Sequence, residues 1–221
     1  MTQQPRPGND RMVVGISGAT GVVYGIRMLE VLRAAGIESH LVLSRSARLT
    51  LSYECDLSVR EVQALADVHY SPDDVGAAVA SGSFRTRGMV VAPCSVKTLA
   101  QIAVGTCDTL LARAADVTLK ERRRLVLMVR ETPLTLTHLR NMATVTENGG
   151  VIAPPVPAFY TRPDGIEALV DQSVGRVLDL FDIDTGAFPR WGDFQRPSPT
   201  PVAPAEWPPA LPELEGSGTR S

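Results

Sequence analysis

The stretch from Met12 to Ala35 constrains the fold of this chain more than any other. Met12-Val13-Val14-Gly15-Ile16 is a short apolar run without polar alternation, which reads as a strand buried on both faces. Val22 to Ala35 then places Val23, Ile26, Leu29, Val31 and Leu32 largely at helical spacing, with Gly36 as the stop. Between them lies Ser17-Gly18-Ala19-Thr20-Gly21, a turn of small residues. A buried strand feeding a helix through a tight turn is the opening of a parallel β-α-β arrangement.

The same alternation continues to about Ile183. Further strands are predicted at Ser39–Ser44, Met89–Ala92, Leu125–Val129 and Val151–Ala153, and helices near 45–53, 73–80, 96–104, 135–147 and 164–182. Buried strands alternating with helices give an α/β fold: a three-layer, doubly wound parallel sheet covered on both faces. No fixed repeat period is visible. Residues 1–10 read as a flexible lead-in. From Arg196 the chain turns Pro-rich, so 194–221 is expected to be a disordered tail outside a single domain spanning 11–193.

At 221 residues the chain suffices for one domain with a substantial core. Its net charge of −2 supplies no field to attract nucleic acid or an anionic membrane. No apolar run approaches the ~20 residues of a membrane span, and the polar, Pro-containing start is unlike a signal peptide. Cys55, Cys94 and Cys107 have no metal-ligand spacing and fit a reducing compartment. The expectation is a cytoplasmic protein with no nucleic-acid or membrane partner.

The Ser17–Gly21 turn also carries chemistry. Small residues let the backbone approach a ligand, free N–H groups at a helix start favour an anion, and Ser17 and Thr20 add hydroxyl donors. The spacing is neither the dinucleotide Gly-x-Gly-x-x-Gly in its usual context nor a P-loop, since no Lys follows. Turn geometry alone is the competing explanation for the glycines. Ala92-Pro93-Cys94-Ser95-Val96-Lys97-Thr98 closes another strand and opens a helix, so two such turns at one sheet edge can share a nucleotide. Cys94 is expected to be a packed thiol rather than a nucleophile, because no histidine has a context suggesting a base. Arg130-Glu131 follows the strand Leu125–Val129 at the same edge. An Arg there can grip phosphate bidentately and the Glu can move a proton, with a structural ion pair as the competitor. Lys120-Glu121-Arg122-Arg123-Arg124 reads mostly as a solvated helix end. His40, His69 and His138 are isolated, and Asp73-Asp74 lacks the further carboxylate of a magnesium-binding Asp-Asp-x-x-Asp motif, so no metal is expected.

Together these segments resemble the UbiX family of flavin prenyltransferases, whose older description is an aromatic-acid decarboxylase subunit. The matching stretches are Gly15 through Gly25, Ser81 through Phe84, Met89 through Leu99, Arg113 through Val117 and Leu119 through Arg123. Val129 through Pro133, Pro154 to Tyr160, Val174 through Asp179 and Trp191 complete them. The resemblance implies a flavodoxin-like or Rossmann-like fold, assembled as a homododecamer with sites at subunit interfaces. It implies reduced FMN as the bound flavin, alkylated at N5 and C6 by a dimethylallyl group from dimethylallyl phosphate without a metal. The prenylated FMN then serves a UbiD-type decarboxylase. The implied FMN contacts are Gly18, Ala19, Thr20, Ser44, Ser95, Val96, Lys97, Thr98 and Arg130. The implied prenyl-phosphate contacts are Lys120, Arg130, Tyr160 and Arg176. Thr20, Glu54, Glu131, Tyr160 and Trp191 match catalytic or active-site-wall positions. Many relatives carry Ser where Thr20 stands; Thr keeps the hydroxyl and adds a methyl.

These residue types suit the implied chemistry. Lys120, Arg130 and Arg176 can stabilise a departing phosphate, and Tyr160 can donate to it. Trp191 offers a π face to an allyl cation, and Glu131 can take the proton released. Two other readings stand beside this one. One is an FMN-binding carrier or accessory subunit of an aromatic-acid decarboxylase. The other is an FMN-dependent cysteine decarboxylase, whose usual active-site His after the first helix has no clear counterpart here.

Overall fold

The structure, a computed structural model, describes residues 10–186. Trp191, residues 1–9 of the lead-in and the tail 194–221 lie outside the described residues. Six parallel strands form one sheet: β1 (Arg11–Ile16), β2 (Glu38–Leu43), β3 (Val68–Tyr70), β4 (Gly88–Cys94), β5 (Arg124–Val129) and β6 (Val151–Ile152). Their order is β3-β2-β1-β4-β5-β6. This is the Rossmann order, with the switch point between β1 and β4.

Seven α-helices cover the sheet: α1 (Val22–Ala34), α2 (Arg45–Glu54), α3 (Val59–Leu65), α4 (Val96–Val104), α5 (Leu110–Lys120), α6 (Leu136–Glu147) and α7 (Ile166–Asp179). Strand periodicity sorts the core into two layers. Met12, Val14 and Ile16 of β1 point into the layer beneath α1, α2, α3 and α7. Val13 of the same strand faces the layer beneath α4, α5 and α6. Helix α1 lies very close to the sheet at Gly25, where an added Cβ would fall 2.3 Å from the Ala92 carbonyl oxygen.

Five strands and five of the seven helices fall where the sequence places them. Three elements do not emerge from the pattern: β3, α3 and α5. The helix expected over 73–80 shrinks to a single 3-10 turn, Ala78–Ala80. Asp74 turns the chain instead, with its carboxylate accepting from the Gly76 N–H at 3.2 Å. No helix among the described residues is long and apolar enough to cross a membrane.

Candidate functional site

Parallel strands present their carboxyl ends on one edge, and the switch point opens a crevice there. Backbone hydrogen bonds hold four strand ends in a row. The Ser44 N–H reaches the Ile16 carbonyl at 3.0 Å, Ser17 N–H the Pro93 carbonyl at 3.2 Å and Arg130 N–H the Cys94 carbonyl at 3.0 Å. Ser44, Ser17, Ser95 and Arg130 therefore stand side by side at the ends of β2, β1, β4 and β5.

Ser17 is a joint rather than a ligand donor. Its hydroxyl is buried, donates to the Pro93 carbonyl at 2.9 Å and accepts from the Ser95 N–H at 2.7 Å. Ser95 and Ser44 cap the helices that follow them: Ser95 Oγ accepts from Thr98 N–H at 3.3 Å and Ser44 Oγ from Ala47 N–H at 3.1 Å. Gly18 passes so near α2 that a Cβ on it would lie 2.4 Å from Ser46 Cβ and Oγ. Gly21 adopts φ +96°, which only glycine takes readily.

The phosphate cradle expected at the start of α1 is occupied from within. Glu54 of α2 accepts from the N–H groups of Gly21 and Val22 at 2.8 and 3.0 Å, so a carboxylate holds the place where an anion is favoured. Within the turn the N–H groups of Gly18 and Thr20 have no acceptor among the described residues.

Beside the turn, a cavity of about 390 Å³ is lined by Ser44, Ser46, Lys97, Thr98 and Thr109, among others. Of its other charges, Arg45 pairs with Asp73 at 2.7 Å, and Asp108 accepts a hydrogen bond from the neutral Gln101 amide at 2.9 Å. Lys97 has no partner among the described residues. Hydroxyls, two helix starts and an unmatched ammonium form a donor set suited to a phosphate monoester, which is what FMN offers at one end.

The remaining predicted residues divide between the two ends of the sheet. Exposed Arg130 and Glu131 follow β5 at the carboxyl edge, and Glu131 accepts from the Thr132 N–H at 3.0 Å. Tyr160 lies in a 3-10 turn after β6. Arg176, in the last turn of α7, is exposed and pairs with Asp179 at 3.0 Å. It shares with Ala158 a cavity of about 290 Å³ under the Ala153–Ala158 segment. Lys120 ends α5 just before β5 begins, so it lies at the amino edge, ion-paired with Glu121 over Gly82. One copy of the chain does not bring Lys120 to the flavin edge.

Tyr24 has no role in the sequence motifs, yet it borders this site. Its ring lies 3.0 Å from the Cβ position of Gly21. Burial pushes its phenol pKa up, against the Arg130 charge, which lowers it. The signal was its place in the first turn of the helix that continues from the glycine turn. Cys94 is fully buried, and burial pushes its thiol far above the usual range, as a packed thiol requires. His40 is buried in a structural network, and His138 caps α6 together with Thr135. No cluster of metal-ligating side chains occurs among the described residues.

Residues 2–195 match the family described as Flavoprotein. Flavin prenyltransferase UbiX of Escherichia coli K12 is 58% identical over 184 residues, covering 82% of this chain and 97% of that protein. Flavin prenyltransferase UbiX of Thauera aromatica is 55% identical over 181 residues, 82% of this chain and 93% of that one. Among solved structures, AnUbiX in complex with FMN and dimethylallyl pyrophosphate is 56% identical with a TM-score of 0.83, covering 85% of this chain and all of that chain. A dodecameric FMN-dependent UbiX-like decarboxylase from Escherichia coli O157:H7 is 47% identical with a TM-score of 0.80, covering 82% and 98%. The chain belongs to the flavoprotein family and, within it, to the UbiX flavin prenyltransferases.

Proposed function

We propose that this protein is a metal-independent flavin prenyltransferase that joins a dimethylallyl group from dimethylallyl phosphate to reduced FMN. The observation that carries the reading is the carboxyl-edge site on a chain 56% identical to a structure holding FMN and dimethylallyl pyrophosphate. The flavin, when bound, supplies the ring atoms that accept the prenyl group. Ser44, Lys97 and Thr98 hold its phosphate in the cavity between the starts of α2 and α4. Gly18, Ala19, Thr20, Ser95, Val96 and Arg130 line the rest of the flavin site. Arg130, Tyr160 and Arg176 bind the prenyl phosphate, and Glu131 takes up the released proton.

Lys120 joins that pocket only from another copy of the chain, because in its own copy it stands at the opposite edge of the sheet. A homododecamer supplies such neighbours, and the relative from Escherichia coli O157:H7 is dodecameric. The single domain is assigned to 11–193. The product is assigned to a UbiD-type decarboxylase, and the three free cysteines suit a cytoplasmic protein.

Anaerobic incubation with reduced FMN and either dimethylallyl phosphate or the diphosphate, with mass spectrometry of the flavin as the readout, tests this. The expected product is FMN with one added prenyl group, formed from the monophosphate. Bound FMN that gains no such mass with either donor refutes prenyl transfer and leaves the carrier reading.

A further inference from the structure

A cavity of about 640 Å³ opens at the amino edge of the sheet, the end opposite the proposed flavin site of the same copy. Its size lies within the range of small-molecule sites, but its lining is unusual. Arg85, Arg87, Arg122, Arg123 and Arg124 all contribute, and Asp182 is the one carboxylate on the described wall. Helices α5, α6 and α7 end at this edge, so some positive charge is expected there to complement their carbonyl ends.

Two of the arginines act on backbone carbonyls. Arg123 donates to Phe84 and Gly82 carbonyls at 2.6 and 2.7 Å, and Arg87 to the Phe181 carbonyl at 3.0 Å while pairing with Asp10 at 3.3 Å. Arg85, Arg122 and Arg124 do neither: they have no acceptor among the described residues. Three guanidiniums without an acceptor repel one another around one concavity, where a single carboxylate and the helix ends offset only part of their charge, and an anion relieves that.

Arg122 points the same way. The N–H groups of Arg122 and Arg123 bond the Leu119 and Thr118 carbonyls at 2.9 Å each, the helix-ending motif whose left-handed residue is usually glycine. Arginine holds that position at φ 56°. Asp182 on the same wall also takes φ 56°, so two strained chain reversals shape the cavity and one of them carries the Arg122 guanidinium.

We propose that this cavity binds a multiply charged anion of the phosphate class, gripped by Arg85, Arg122 and Arg124 within a wall fixed by Arg87 and Arg123. Guanidinium pairs with phosphate oxygens through parallel N–H donors, so a chain of linked phosphates engages several arginines at once and a single phosphate does not. Inorganic polyphosphate and nucleoside polyphosphates share this chemistry.

Isothermal titration of the full chain, saturated with FMN and held at constant ionic strength, tests the assignment with inorganic tripolyphosphate, ATP and inorganic phosphate as probes. Tripolyphosphate is expected to bind saturably and at least about tenfold more tightly than phosphate. Arg122→Gly, which suits the backbone and so folds, is expected to weaken it on the order of tenfold, as is the Arg85→Gln/Arg124→Gln pair. Arg48→Gln, at an exposed position of α2, is expected to change nothing. ATP binding as tight as tripolyphosphate assigns nucleotides as ligands; exclusion of ATP assigns the inorganic chain. Absence of saturable tripolyphosphate binding, or equal weakening by Arg48→Gln, overturns the proposal.

Discussion

Replacing Ser17 with alanine removes one oxygen from a side chain that is 1% exposed, and the partners of that oxygen set the cost. The Pro93 carbonyl loses the hydroxyl but keeps the Ser17 N–H at 3.2 Å, so it stays satisfied. The Ser95 N–H loses its acceptor at 2.7 Å and has no other. One orphaned, partly buried donor costs about 1–3 kcal/mol, so ~2 kcal/mol is expected. For a domain of this size that lowers Tm by roughly 4–8 °C. Ser95 also caps α4, and the freed segment is the one assigned to the flavin. FMN affinity is therefore expected to fall, by at most roughly thirtyfold if the whole cost is passed on. Urea unfolding of the apo protein and flavin fluorescence titration measure the two effects. An unchanged urea midpoint refutes the hydrogen-bond argument; a lowered midpoint with unchanged FMN affinity removes Ser95 from the flavin site.

Three further outcomes are expected. Gly18→Ala forces Ser46 away from a contact of 2.4 Å, costing about 1–3 kcal/mol, and Ser46→Gly in the same chain restores most of it in a double-mutant cycle. Arg122→Gly relieves a left-handed φ of 56° and is expected to raise stability by about 1 kcal/mol, read as a higher urea midpoint. His40, buried with Tyr70 and Glu38 on its two ring nitrogens and near Arg11 and Asp67, has its pKa lowered by burial despite Glu38. Its neutral form is the one that folds, so its contribution is full above its ordinary 6.5 and is lost as pH falls through that value toward its native pKa. Urea midpoints at pH 8 and 5.5 are expected to differ less in His40→Gln than in the parent.

Long, well-bounded signals in the sequence carry most of the fold. Helix α4, from Val96 to Val104, has Ser95 to cap it and Gly105 to end it, and both appear in those roles. Strand β3 is only three residues long and owes its existence to pairing with β2 and the contact of Tyr70 with His40, neither of which is local. Helix α3 was readable from Ser58 and Glu61, which form a complete capping box, but its single buried residue, Val62, leaves no periodicity to find. The glycine turn shows the limit for the site. Its geometry is local and was legible, whereas the occupant of its amides, Glu54, arrives from the end of α2 more than thirty residues away.

That occupant bears on where the flavin's charge goes. The start of α1 attracts anions as strongly as any helix start, but Glu54 already supplies one, and two carboxylate or phosphate groups in one place repel. A phosphate arriving there must expel Glu54 and leave a charge to be housed elsewhere. The Ser44–Thr98 cavity asks for no such exchange: Asp73 is paired with Arg45, Asp108 is held by the Gln101 amide, and Lys97 has no partner among the described residues. The absence of a carboxylate seated on its donors therefore favours the proposed phosphate position between α2 and α4. The Gly18–Thr20 backbone, with two uncommitted N–H groups and no room for a Cβ at Gly18, is left to approach the uncharged part of the same ligand.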